Sequence, residues 1–237
     1  MRAETRTTYF DRPGPINTDE TIELAKRRAF ELNIKKIVVA SFSGRTAIKA
    51  LEGFGKDFEI ICVTNPAGRV FPISSLERWA TYKEIPELRK ALTRWKEEGR
   101  TELQTSVTYE AEESLKKMGI KVVRGTSPFQ SIPHSAAKTL GGFSLGDVML
   151  LTLRLLSPGL AVCIECAVMA ADAGIIPTDE EIIAIGGTEQ GADTAIVLKP
   201  ATSIKVFDPT DGLDVREIIC KPRSMAGESG FLLEREV

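Results

Sequence analysis

The turn Ser41-Phe42-Ser43-Gly44, with Arg45 and Thr46 directly after it, gathers three hydroxyls, a glycine and a guanidinium within six residues. It follows a β-branched run, Ile37-Val38-Val39, and precedes a helix-period segment, so it lies where a strand ends and a helix begins. A helix start leaves backbone N–H groups unpaired, with the positive end of the peptide dipole behind them. Hydroxyls, a guanidinium and a glycine that admits close approach to the backbone turn such a place into a phosphate cradle. The construction differs from a P-loop, since no Gly-Lys-Ser/Thr follows, and no GxGxxG occurs in the chain. The plain reading of the same residues is an N-capped helix with Arg45 in solvent.

A second glycine cluster, IIAIGGTEQGADTAIVLKP (182–200), sets Gly186, Gly187 and Gly191 between two apolar strands. A hairpin turn would suffice to explain it. The stretch is longer than a hairpin needs and carries Thr188, Glu189, Gln190, Asp193 and Thr194. Sheets of the α/β kind collect ligands at strand carboxyl ends, which favours a binding loop over a bland turn. Thr64 and Asn65, where the second strand ends, complete the candidate binding set.

Residues for catalysis are harder to find. Glu165 sits in an otherwise apolar helix and must be paired, protonated or in a pocket, with a buried arginine ion pair as the expected arrangement. Asp172 and Asp193 are loop-proximal, where aspartate commonly caps. His134, the only histidine, and Lys138 lie in or just after a loop, GTSPFQSIPHS, where a surface role is expected. No Ser–His–Asp order is persuasive, and no catalytic residue is assigned. Cys163 and Cys166 form a C-x-x-C inside an apolar helical run, where packing is expected rather than redox chemistry. With one histidine and no second cysteine pair, no metal site is expected.

These residues need a scaffold, and the alternation of elements supplies one. A capping-box start at Asn17-Thr18-Asp19-Glu20 predicts a helix, and strands are predicted at 37–41, 58–64, 120–124, 182–186, 195–199 and 216–221. Helices are predicted from Arg45 and at 86–98, 108–118, 145–156 and 160–173. The fold class is therefore α/β, a three-layer α/β/α arrangement with a mostly parallel sheet. One domain is expected over 1–237, with a helical insertion at about 66–118 that carries both tryptophans, Trp79 and Trp95. Apolar content of 43%, charged content of 27% and a net charge of −2 describe an ordinary globular chain with no nucleic-acid footprint. Residues 1–10 hold no apolar signal region, and no stretch is apolar enough to span a membrane, so a cytoplasmic location is expected.

Residues 17–65, from NTDET through IVVASFSGRTA to IICVTN, resemble the C-terminal α/β domain of pyruvate kinase. In that domain a Ser-Gly-Arg-Ser/Thr turn after the first core strand holds the phosphate of an allosteric sugar bisphosphate. Here the matching turn is Ser43-Gly44-Arg45-Thr46. YFDRPG (9–14), VCIECAVMAADAGIIP (162–177), IAIGGTEQGADTAIVLKPA (183–201) and EIICKPR (217–223) resemble a stand-alone, largely prokaryotic branch associated with bound flavin mononucleotide (FMN). The resemblance implies FMN as cofactor, its phosphate at 41–46 and its isoalloxazine toward Asn65 and the 186–194 loop. It also implies a small phosphorylated ligand as the partner, and it leaves homo-oligomerisation open. The pyruvate kinase barrel is absent, so pyruvate kinase activity is not expected. What stays open is a flavin-dependent oxidoreductase, a sensor or carrier of a phosphorylated metabolite such as a sugar phosphate, or an enzyme for which FMN stands in for another ligand.

Overall fold

The computed structural model describes residues 4–77, 82–83 and 86–224. In chain order its first elements are β1 (Thr8–Phe10), α1 (Thr18–Leu32), β2 (Lys36–Ala40), α2 (Arg45–Phe54) and β3 (Glu59–Thr64). Then come β4 (Val70–Pro72), α3 (Ile73–Leu76), α4 (Pro86–Glu97), β5 (Glu102–Gln104), α5 (Tyr109–Lys117) and β6 (Lys121–Arg124). The last are α6 (Ile132–Leu140), α7 (Leu145–Arg154), α8 (Pro158–Asp172), β7 (Ile182–Gly186), β8 (Thr194–Lys199) and β9 (Asp214–Pro222).

The apolar runs become central strands because both of their faces are covered. Ile37, Val38 and Val39 of β2 are all buried, as is every residue of β7. Burial without alternation marks a parallel sheet with helices on both sides. The sheet order is β1-β9-β8-β7-β2-β3-β6. The pairs β1–β9, β7–β2, β2–β3 and β3–β6 are parallel, while β8 is antiparallel to both of its neighbours. Helices α1, α2 and α5 cover one face, where Ala25, Ala47 and Leu115 pack with Ile37, Val39 and Ile60. Helices α7 and α8 cover the other, where Leu150, Leu160 and Ala167 pack with Val38, Ile61 and Ala184. Each fully buried Ile or Leu contributes roughly 1.5–3 kcal/mol, so these two clusters hold the sandwich together.

The chain leaves β2 toward β3 on one side and returns through α8 to β7 on the other side. The strand order thus reverses between β2 and β7, and the loops after these two strands diverge there. A crevice at the carboxyl ends of the strands is the geometric consequence.

The segment 66–118 divides in two. Strands β4 and β5 pair antiparallel outside the main sheet, and with α3 and α4 they enclose a small core of Ile73, Leu76, Tyr82 and Leu92 flanked by Trp95. Helix α5 instead belongs to the main layer, through Leu115. Trp79 lies outside the described residues.

Two local expectations need correction. The Asn17 capping box does not form: the Asn17 amide turns back to donate to the Arg12 and Gly14 carbonyls, at 2.7 and 3.3 Å. The stretch expected as a loop up to Ser135 is helical from Ile132, with Pro133 in the first turn of α6, so His134 and Lys138 lie on a helix. The four cysteines are free and buried. No helix among the described residues is long and apolar enough to cross a membrane, and no described group of His, Cys, Asp and Glu could hold a metal.

Candidate phosphate-binding cavity

The turn after β2 is built by backbone geometry. The Ser41 N–H still joins the sheet, donating to the Val63 carbonyl at 3.0 Å. Gly44 then takes φ +84° as the residue before α2, a conformation that glycine adopts at little cost. No side chain caps this helix, and its first turn holds no acidic residue. The plain reading therefore holds only in part: no serine caps the helix, but Arg45 is exposed. The first intrahelical bond runs from Ile48 N–H to the Gly44 carbonyl, so the N–H groups of Arg45, Thr46 and Ala47 have no helical acceptor.

This helix start opens on a cavity of about 650 Å³ that straddles the strand ends. Ser41, Ser43, Arg45, Thr46 and Lys49 line its near end, and Arg45 Nε donates to Ser43 Oγ at 3.2 Å. The roof comes from the β4–β5 excursion, through Arg69, Phe71, Tyr82 and Trp95. Helix α8 supplies the floor with Val162, Glu165, Cys166 and Met169.

Of the twelve binding residues expected from sequence, Ser41, Ser43, Arg45, Thr46, Thr64, Asn65, Gly187 and Gly191 line the cavity. Gly44, Gly186, Asp193 and Thr194 do not, and each has a packing task instead. A Cβ on Gly44 would sit 2.9 Å from a Leu115 methyl, on the core side. One on Gly186 would sit 2.6 Å from the Gly159 carbonyl, because α8 rests directly on the end of β7. Asp193 is a hub: its carboxylate accepts from Gly14 N–H at 2.8 Å, Thr188 N–H at 3.1 Å and the Thr194 hydroxyl at 2.8 Å. It thereby ties the glycine loop to the approach to α1. Burial pushes its carboxyl up, and these hydrogen bonds oppose that shift.

The loop from Gly187 to Gly191 is both a hairpin connection and a wall. Strands β7 and β8 pair antiparallel up to Gly186 and Thr194, and Gly187, Glu189, Gln190 and Gly191 face the cavity. Glu189 holds φ +62°, rare for a residue with a side chain, and such conformations gather at ligand sites.

At the far end, sequence reasoning singled out Glu165 and expected an arginine beside it, but did not name Arg69, Arg154 or Ser127. Glu165, on α8, accepts a hydrogen bond from the Ser127 hydroxyl, and Arg69 and Arg154 lie close enough to act on its charge. Burial raises the Glu165 carboxyl above its ordinary range, against Ser127 and the two arginines. Burial likewise lowers both guanidinium groups, and Glu165 counteracts this. Arg69 is held by Asn65, whose carbonyl accepts from Arg69 Nη1 at 3.2 Å and whose amide donates to the Thr105 carbonyl at 2.9 Å. An arginine after a turn and another at a helix end carry no local signal of convergence. Only the topology brings them together. Of the remaining candidates, Asp172 accepts from Ser203 N–H at 2.7 Å, His134 pairs with Asp147, and Lys138 is exposed; none lines the cavity. Cys166 lines it, and burial holds its thiol well above the usual range, far from a reactive thiolate.

The family model described as pyruvate kinase, alpha/beta domain, matches residues 19–198. The chain belongs to this family. Among solved structures, Cryptosporidium parvum pyruvate kinase in complex with ADP is 15% identical over 78% of this chain, with a TM-score of 0.33. The chain spans 24% of that pyruvate kinase. The SAH-bound Podospora anserina methyltransferase PaMTH1 is 14% identical over 68% of this chain and 49% of its own, with a TM-score of 0.25. The pyruvate kinase α/β domain accounts for the mostly parallel sheet and the two helical layers.

Proposed function

We propose that the chain binds a small phosphorylated ligand in this cavity and acts as its sensor or carrier. The observation behind the proposal is the uncapped start of α2, whose N–H groups open on a cavity with a net positive wall. Among the described wall residues, Arg45, Lys49, Arg69, Arg94 and Arg154 outnumber Glu165 and Glu189, and the excess stays positive after Lys49 pairs with Asp19 and Arg94 with Glu98 outside the wall. Family membership supports a regulatory part over a catalytic one, because this domain is the allosteric one in pyruvate kinase. The phosphate sits at Ser41, Ser43, Arg45 and Thr46. The rest of the ligand extends toward Arg69, Arg154 and Glu165, which offer donors and one acceptor to a second polar group.

A second reading, with FMN as the particular ligand, draws on the roof. Phe71, Tyr82 and Trp95 give the cavity aromatic walls, a surface suited to a heteroaromatic ring. FMN would then place its phosphate at the α2 start and its ring beneath the excursion, and it would supply redox chemistry if the chain is an enzyme. Native mass spectrometry of the purified full chain, with a visible spectrum of the same sample, separates the readings. A colourless protein carrying or taking up sugar phosphates supports the sensor. A yellow protein releasing FMN supports the flavin reading. A chain that takes up no phosphorylated compound contradicts both.

A further inference from the structure

Helix α6 is nine residues long and buries none of them. Helix α7, ten residues, buries only Leu150. Isolated helices this short are marginal in water, and in proteins most helical stability comes from packing an apolar face. What joins this pair to itself is polar: the Ser144–Asp147 capping box starts α7, and Asp147 also pairs with His134 of α6 at 2.5 Å.

The outward side is apolar. Ile132 and Leu140 are each 84% exposed, Leu155 is 81% and Leu145 77% exposed, and Phe143, Val148, Leu151 and Leu156 add to the same stretch. Leu145, Val148, Leu151 and Leu155 recur at helical spacing and form one stripe along α7. The eight side chains expose on the order of 1,000 Å² of apolar surface, against roughly 300–600 Å² for the largest patch on a typical monomer. Charge is nearly missing. From Ile132 to Leu156 the chain holds only Lys138, Asp147 and Arg154 as charged residues; Asp147 pairs inward, and Arg154 lines the cavity.

We propose that the α6–α7 face is the interface between two copies of this chain. Its area matches the roughly 800 Å² per partner that a stable interface buries, and the depletion of charge is the mark of an interface core. With Lys138 as its one outward charged residue, the face has little charge with which to select an unlike partner, and two-fold pairing would set its apolar stripe against itself. A net charge of −2 per chain sets little repulsion against association.

The test is sedimentation velocity on the full chain at several micromolar concentrations, alone and as the Leu145→Glu/Leu155→Glu variant. Far-UV circular dichroism verifies that the variant keeps its fold, and Leu155→Glu alone replaces it if the double change does not. The expected result is a mass of at least twice the 25.9 kDa of one chain, falling to half or to monomer in the variant. A monomeric wild type, including one that binds phosphatidylcholine vesicles instead, overturns the proposal. So does an assembly that the variant leaves intact.

Discussion

The Tyr82 hydroxyl accepts a hydrogen bond from the Gln190 side chain, across 108 residues of sequence, and so joins the roof of the cavity to its glycine loop. Tyr82 is almost fully buried, and burial pushes its phenol up to about 12, with nearby Arg45 opposing. The phenol is therefore neutral at physiological pH. Roof and loop are thereby clamped together across the cavity.

Removing either half of this link should loosen the clamp. Tyr82→Phe and Gln190→Ala are each expected to weaken ligand binding, and the double variant to cost less than the sum. The coupling should be about 1 kcal/mol, the worth of one hydrogen bond. Calorimetric titration of the four proteins measures it. Fully additive effects would mean that the two residues act separately.

Arg45→Ala should weaken a phosphorylated ligand by roughly 10- to 100-fold, since a charge-assisted hydrogen bond contributes about 1.5–3 kcal/mol. Arg45 is exposed, so the loss should shrink at high salt. An unchanged affinity would move the phosphate away from the start of α2.

Glu165 makes a prediction about pH. Its folded-state pKa is raised above the ordinary 4.5, so the folded chain holds this proton more tightly than the unfolded chain does. The stability it contributes is fully present below the unfolded pKa and is lost as pH rises through the folded one. Glu165→Gln removes that titration. In ligand-free protein, melting curves from about pH 4 to 8 should show the variant gaining on the wild type as pH rises. A difference that does not vary with pH contradicts the burial argument.

Gly191 makes a prediction about stability. It holds φ +70°, and a Cβ there would lie 2.5 Å from Thr18 Oγ1 and 2.6 Å from Pro15 Cα. Gly191→Ala is expected to lose about 2 kcal/mol or more, from strain plus overpacking. Asp193→Ala should be at least as costly, because it strands two buried N–H groups at once. Urea unfolding reads both. A loss below about 0.5 kcal/mol in either would mean that the loop relaxes freely.

Local signals made the core of this fold legible. The runs that became β2, β3 and β7 are apolar on both faces and end in glycine or polar turns, which is why a mostly parallel sheet could be read from them. Strand β1 is three residues long and exists because it pairs with β9, more than 200 positions away. The strands of the β4–β5 pair are as short, and a small core of their own stabilises them. Pro133 could have signalled the start of α6, since proline favours a helix's first turn. The cavity was half legible for the same reason. The Ser41 to Thr46 turn is contiguous, whereas Arg69, Tyr82, Arg154 and Glu165 converge only through tertiary packing. Gly186 and Asp193 stand behind the cavity wall, and close backbone approach and carboxylate hubs leave the same trace in sequence as binding does.

The most direct test of the phosphate site is calorimetry on matched pairs, FMN against riboflavin and glucose 6-phosphate against glucose, with wild type and Arg45→Ala. The account predicts that at least one phosphorylated member binds the wild type tenfold or more tightly than its partner, and that Arg45→Ala removes most of that margin. Equal affinities within every pair, or a margin that survives in Arg45→Ala, would contradict a phosphate site at the start of α2.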